Sequence, residues 1–599
     1  MGLTATLSNA LGGMKVNQSA LDIVSRNVAN AGTPGYHRQS LTIVDSAGIN
    51  SSLVNAQGVE RAFNQSLQSY YTRQVSDTAG ADIQAQFLDR LQTFMGKPGS
   101  AGSLDTVFGD FQNALSAAAT SPDDYAVRAT VMTKAQSLVE TLNRLSSNVA
   151  DMTRDVSSQI GARVNDVNAL LKKLDHINDT LQDVTVDPTA RAAVLDQRDR
   201  IVSSIAEIMD VRVDYRVNGT VALTTRSGIG ILDHEAGELS FDPNNGRLDL
   251  STPSGHLIDL AQPGTLQSGR LGGLLALRES LLGETQAQLD SIAAALAQAF
   301  STQHTAGTPT SASGREGFTV PIDFVGFKPG NDIMLEYTQN GRPVTARIVR
   351  VDDPTKLPMD SFDADGTRVI GLSFTGGMTD LVAGLQQALG PNFAVADAGG
   401  GLLSIMDDGA PGLTSVTGLS TRTTATSAQG QHALPLFLDT GGVPFSNSLD
   451  GRGQATGFAA RIKLNGAIVA DNRLLVQGVP GTTLGDSSRV DYLVGQLSGM
   501  SFGASGGRAG TGLRLGGTVG QMIAQTINFQ GSRISAGLDA RDSQMLTLEA
   551  LTTQMQSEYG VNIDEEMARL MELQNAYAAN ARIVSVVQEL LNELMRIAA

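Results

Sequence analysis

A narrow apolar seam runs along each end of this chain, and a seam on a helix is stable only when something covers it. Between residues 3 and 30, Leu7, Met14, Leu21 and Val28 recur at steps of seven, with Ala10 and Val24 on the same stripe. That spacing predicts one amphipathic helix of the supercoiling type. At the other end, Asn562 and Glu565 have the spacing of a capping box that starts a last helix. In it Leu570, Leu573, Tyr577, Val584, Val587, Leu591 and Leu594 form a second seam, with Asn580 as its one polar position. The economical solution is that the two ends pair with each other and the rest is an insertion. Periodicity alone leaves two uses for such seams: the core of an ordinary helical bundle, or a surface for assembly.

The first helix ends abruptly at NVANAGTPGY, Asn27 to Tyr36. Gly32, Pro34 and Gly35 do not continue a helix, and Thr33, before proline, is biased toward extended backbone. Ile83, Phe87, Leu91 and Phe94 predict a helix before the linker Gly96–Ser103, and Val107, Phe108, Phe111 and Leu115 predict one after it. Ser121-Pro122-Asp123-Asp124 reads as an N-cap with proline in the first turn. It opens a long helix through Leu138, Leu142, Leu145, Val149, Met152, Val156, Ile160, Val164, Val167, Leu171 and Leu174. About 45 residues of helix make a rod of roughly 65 Å.

Residues 211–470 change period. Alternating Val211, Val213 and Tyr215, then Asn218-Gly219, predict a hairpin with a type I′ turn, and Asn245-Gly246, Asn340-Gly341 and Asn465-Gly466 repeat the signal. Ile333, Leu335 and Tyr337 face Val344, Ala346 and Ile348 across the third. A helical stretch from about Leu271 to Gln303 interrupts the strands, and helix returns at about Val519 and breaks at Tyr559-Gly560. The expected fold is mixed. Paired terminal coiled-coil helices (1–60 and 540–599) carry a helical rod-like domain (61–210, 268–310 and 515–539). A small β-hairpin region (211–267) and an outer β-rich domain (311–514) are inserted.

Composition removes several functions. The formal net charge of -17 argues against nucleic acid as a partner. With no cysteine, disulfides, thiolate metal sites and Cys nucleophiles are excluded. No window approaches a membrane span, and the first cation is Lys15, so no basic-then-apolar signal peptide is expected. His37, His176, His234, His256, His304 and His432 form no metal-binding pair and are expected at the surface. Asp363-Ala364-Asp365-Gly366 lacks the later ligands of a calcium loop and reads as a turn. The glycine-rich stretch from Gly503 to Gly517 reads as a loop. Asp564, Glu565 and Glu566 sit where a helix dipole favours carboxylates. No catalytic, cofactor or metal site is expected, and an enzyme is disfavoured.

NVANAGTPGYHRQ, Asn27 to Gln39, resembles the N-terminal signature of the bacterial flagellar rod, hook and hook-associated axial proteins, through Asn27, Ala29, Asn30, Thr33, Gly35, Tyr36, Arg38 and Gln39. VNIDEEMARLMELQNAYAANARIVSVVQELLNEL, from Val561, is similar to their C-terminal segment, its Asp564-Glu565-Glu566-Met567 most like the hook-associated members. LDQRDR (Leu195–Arg200) and SGRLGGLLALRES (Ser268–Ser280) agree. The resemblance covers roughly residues 1–310 and 515–599 and leaves 311–510 unmatched. It implies a structural protein of the junction between hook and filament, needed for filament assembly. Its terminal helices would build the inner tube, with Leu7, Met14, Leu21, Val28 and the C-terminal seam as assembly interface. Asn27, Asn30, Thr33, Pro34, Gly35 and Tyr36 would form the turn to the next shell. Implied partners are copies of itself, hook protein, the second junction protein (hook-associated protein 3) and a flagellar export chaperone at the C-terminal helix. The implied location is outside the cell, through flagellar type III export. A hook or distal rod protein, and an exported protein with an outer adhesive domain, stay open.

Overall fold

The computed structural model describes residues 2–48, 51–183, 188–363, 366–410, 413–479, 481–505 and 513–598. Ala364 and Asp365 of the expected calcium-like turn, and the middle of the Gly503–Gly517 loop, lie outside them. The fold is mixed, with long helices at both ends and sheets inserted between them.

The helices follow the apolar periods closely. They are α1 (Leu3–Ala29), α2 (Gln65–Met95), α3 (Leu104–Thr120), α4 (Tyr125–Gln182) and α5 (Pro188–Ile208). Then come α6 (Gly269–Ala276), a π-helical turn at Leu277–Leu282, α7 (Gly283–Ser301) and α8 (Gly377–Leu389). Short α9 (Phe458–Arg461) and α10 (Gly466–Ala470) precede α11 (Ser488–Gly499), α12 (Val519–Tyr559) and α13 (Ile563–Ala598). At 58 residues α4 is longer than expected, about 87 Å of helix. All eleven of its expected seam residues, from Leu138 to Leu174, are buried. Its cap is Asp124 rather than Ser121: Asp124 Oδ1 accepts from the amide of Ala126 at 2.7 Å. Residues 121–124 form the turn before the helix, and Pro122 sits outside the first helical turn.

The chain forms two compact units. The first comprises Met1–Gln86, Asp155–Leu277 and Ala536–Ala599. Here α1 and α13 pack on each other. They run antiparallel, since Gly13 meets Asn580 and Asn27 meets Glu566. The other side of α1 carries a ribbon of β1 (Gln39–Gly48) and β2 (Ser51–Arg61), paired from Gln39 with Arg61 outward. The start of α2 lies along the end of α12: Gln74 Nε2 donates to Gln544 Oε1 at 2.6 Å, and Leu67, Leu551 and Tyr559 share a small core.

Two small antiparallel sheets complete this unit: β3 (Val211–Tyr215), β4 (Val221–Thr225) and β5 (Gly230–Leu232), then β6 (Glu238–Phe241), β7 (Leu248–Ser251) and β8 (Leu257–Asp259). Each is tied to α4 by an asparagine that both donates to and accepts from one strand residue: Asn178 with Val221, Asn168 with Leu239. The Asn218-Gly219 and Asn245-Gly246 turns are not the two-residue type I′ form. Only the glycine takes positive φ at each, and the loops are longer.

At the end of α5, Asp210 is buried, with Oδ2 accepting from the Gln267 amide at 3.1 Å and Oδ1 without a hydrogen-bond partner among the described residues. Burial pushes its carboxyl up to about 6 from 3.8, against the pull of the Gln267 amide and Arg226. The folded chain therefore holds this proton more tightly than the unfolded one. That stability is fully present below pH 4 and is lost as pH rises through about 6. Asp210→Asn keeps the acceptor and removes the charge. We expect it to raise stability at pH 7.5 by up to about 3 kcal/mol, with no difference at pH 4, in thermal melts across that range.

The second unit comprises Phe87–Arg154 and Arg278–Ser535. A six-stranded sheet runs in the order β14-β15-β13-β12-β18-β9 and a four-stranded one β10-β11-β17-β16. The strands are β9 (Thr302–Ala306), β10 (Thr308–Ala312), β11 (Arg315–Pro321), β12 (Asp332–Gln339), β13 (Arg342–Arg350), β14 (Met359–Phe362), β15 (Arg368–Leu372), β16 (Phe393–Asp397), β17 (Leu402–Asp407) and β18 (Thr414–Thr424). Both sheets and α8 share one apolar core, from Ile333, Leu335 and Ile348 to Leu385, Leu403 and Ile405. The hairpin register is the expected one: Ile333 with Ile348, Leu335 with Ala346, Tyr337 with Val344. Its turn is type I′, with positive φ at both Asn340 and Gly341.

After β18 the expected β character fails. Residues 425–500 are mostly loops and short helices. Asn465-Gly466 is no hairpin turn: Asn465 caps α10, its side chain accepting from the Ala467 amide. Asn serves both roles with the same local hydrogen bond, so the dipeptide alone does not choose between them. The helical part of this unit is held by Phe111, Phe300 and Phe437, whose rings meet at 5.2–6.0 Å.

Candidate functional site

The site lies where α1 stops. Asn30 Nδ2 donates to the Arg26 carbonyl at 2.9 Å and holds the last turn of the helix. The Thr33 amide donates to Asn30 O and the Tyr36 amide to Thr33 O, so two turns follow in succession. Gly32 and Gly35 take φ of +82° and +73°, the left-handed region that a side chain resists. Thr33 and Pro34 are exposed. A Cβ at Gly35 would lie 2.7 Å from Arg200 Cγ. Gly35→Val is therefore expected to cost about 1–3 kcal/mol in backbone strain and to impair assembly more than folding, read by melting temperature against filament counts.

Asn27 is the knot of this turn. It is buried, and its Oδ1 accepts from Tyr36 Oη at 2.8 Å and from the Gln39 amide at 3.0 Å. Its Nδ2 donates to Gln39 O at 2.9 Å and to Glu566 Oε2 at 3.1 Å. One side chain thus fixes the end of α1, the start of β1 and the first turn of α13. Glu566 is buried as well, so it does more than answer the helix dipole. Burial, with the Asp196 and Glu566 carboxylates, pushes the Tyr36 hydroxyl up to about 12. It stays a donor.

Behind the turn lies a buried charged cluster. His37 is not at the surface; its Nδ1 lies 2.8 Å from Asp196 Oδ1. Arg61 bridges two carboxylates, donating to Asp196 at 2.7 Å and to Asp199 at 2.5 Å. Arg198 donates twice to Asp199 and once to Gly219 O. Two guanidinia and two carboxylates balance. The Arg61 guanidinium lies over the Phe63 ring at 4.6 Å and that of Arg198 over Tyr215 at 4.9 Å. The Tyr559 ring lies beside His37, tilted, with centroids 4.9 Å apart. Tyr559 also takes the Arg38 amide on its carbonyl and donates its hydroxyl to Asn64 O at 2.7 Å. The cluster joins the turn, β2, α5, β3 and the α12–α13 break. The other five histidines are exposed, as expected.

The terminal seams come out unevenly. Leu7, Met14, Leu21 and Val28 are half-buried, as are Leu570, Leu573, Tyr577, Val584 and Leu591; Val587 is buried and Leu594 exposed. The most enclosed residues of α1 are Ala10, Val16, Ala20, Ile23, Val24 and Asn27, because the ribbon covers a second side of that helix. Asn580 lies on Gly13, where a Cβ would come within 2.7 Å of its Nδ2. The seam's polar residue thus faces the one residue type that leaves it room. Ile583, Val586, Leu590, Leu594 and Ile597 of α13 are all exposed. At 100° per residue they form one face beside the half-buried seam. The predicted seam includes Leu594 of that face and none of the other four residues.

Comparison with known proteins follows the same geography. The family model described as flagellar hook-associated protein FlgK helical domain matches residues 88–318. A flagella basal body rod protein model matches residues 7–37, and a flagellar basal body rod FlgEFG protein C-terminal model matches residues 552–597. Flagellar hook-associated protein 1 of Salmonella typhimurium is 25% identical over 99% of this chain and 100% of its own length. Over nearly its whole length the chain is similar to flagellar hook-associated protein 1. The relative from Escherichia coli is 26% identical over 62% of this chain and 69% of its own length. A solved structure described as the flagellar hook junction protein FlgK from Burkholderia pseudomallei aligns at TM-score 0.44 and 14% identity, covering 82% of this chain and 100% of that one. The two rod models fall on α1 and α13, the elements the Asn27 knot joins. LDQRDR supplies the charged cluster, through Asp196, Arg198 and Asp199.

Proposed function

We propose that this chain is a structural subunit of the bacterial flagellum at the junction of hook and filament, where it adapts one tube to the other. The observation that carries the reading is the open face of α13. After α1 has covered the seam, Ile583, Val586, Leu590, Leu594 and Ile597 still face water along about 20 Å of helix. A continuous apolar face of that kind marks an interaction surface. Copies of the same chain meet it through heterologous contacts, which propagate into a helical array. Hook protein adjoins on one side and the second junction protein, hook-associated protein 3, on the other.

The subunit travels outward through the flagellar type III channel, which fits a chain without cysteine. A flagellar export chaperone covers the C-terminal helix until assembly. Residues before about 35 and after about 560 take up their final packing only on joining the array, since two helices with one covered face gain little alone. Immunogold labelling of isolated flagella tests the placement. A band confined to the hook–filament boundary is expected; label along the rod or hook, or along the filament, overturns it.

A further inference from the structure

A cleft of about 780 Å³ opens at the foot of the β1–β2 ribbon. Its walls include Arg61, Phe63, Arg191, Leu195, Tyr215 and Val217. Val217, at the tip of the β3–β4 turn, is fully exposed. Glu60 and Arg216 line it as well, Arg216 with Asp233 as its partner. Among the described residues Arg191 meets only carbonyl oxygens, those of Leu181 and Asn218, and no carboxylate. The cleft therefore offers mainly apolar wall and, at Arg191, a cation that faces no carboxylate among the described residues. Its fitting occupant is apolar and rich in acceptors.

The ribbon has that chemistry. Its strands of 10 and 11 residues form a sheet of their own, and Ile43, Val44 and Val54 are exposed. A two-stranded ribbon is marginal in water by itself, and its edges carry free carbonyls. Between Ser40 and Val59 the one charged residue is Asp45. Within a single chain Val54 lies four residues, about 13 Å, up the strand from Gly58, the ribbon residue of the cleft wall nearest to it.

We propose that the cleft of one subunit receives the β1–β2 ribbon of a second copy. The contact is heterologous and repeats from subunit to subunit. It rests on the assembly reading above and adds a second interface, away from the α13 face. The chain has no cysteine, so introduced pairs report cleanly. Val217→Cys is combined in turn with Ile43→Cys, Val44→Cys and Val54→Cys, in cells whose only copy is the variant. Isolated flagella are oxidised and separated without reductant. Covalent dimers and higher multimers from at least one pair, and none from the single variants, are expected. Monomers only from all three pairs, on flagella that carry normal filaments, overturn the proposal. Failure of the assembly reading looks different: even the wild-type chain is then missing from the hook–filament boundary.

Discussion

Replacing Arg61 with alanine is expected to lower the stability of the first unit by about 3–5 kcal/mol, a fall in melting temperature on the order of 10 °C. Arg61 is buried between Asp196 and Asp199, and its removal leaves both carboxylates enclosed with less compensation. Arg198 still serves Asp199, but among the described residues Asp196 keeps only His37. The cost comes from the stranded charge more than from the lost attraction. Arg61→Lys tests this. It restores a cation without the two-pronged geometry that spans the carboxylates, and should recover part of the loss. Differential scanning calorimetry of the purified chain reads both. Equal melting of Arg61→Ala and wild type would show that the cluster does not hold the turn in place.

The second large effect lies on α13. Val586→Asp combined with Leu590→Asp puts two carboxylates on the open face, away from α1. The monomer should melt as the wild type does. Assembly should fail, because each buried side chain of this size contributes about 1.5–3 kcal/mol to a contact and each carboxylate would have to be desolvated. Electron microscopy should then show hooks without filaments. Normal filaments from this variant would mean that the face stays open to water in the finished structure.

Gly13→Val gives a milder, opposite outcome. The Cβ meets the Asn580 amide, so α1 and α13 must separate or Asn580 must swing out. Pairing of the ends should weaken while the face at Val586 is untouched.

Much of the architecture was legible because apolar spacing writes helices directly. The α4 seam held from Leu138 to Leu174, and the Asn340-Gly341 hairpin held its register, since each depends on neighbours a few residues apart. The pairing of the ends also followed, from two seams with nothing else to cover them. The site was less legible. Nothing within a dozen residues of His37 says that it is buried; its partner Asp196 is 159 positions away. Glu566 looked like a helix-dipole carboxylate and is also a ligand of Asn27. The second face of α13 was legible only at Leu594, because a seam read at steps of three and four follows one stripe and passes over its neighbour. Asn465 was misread because asparagine makes the same local bond in a turn and at a helix cap.

Amide hydrogen exchange at Val584, Val587 and Leu591 compares the soluble monomer with isolated hook–filament junctions. If the terminal helices are an assembly element, these amides exchange quickly in the monomer and become strongly protected in the junction. Slow exchange already in the monomer, unchanged on assembly, would contradict that role.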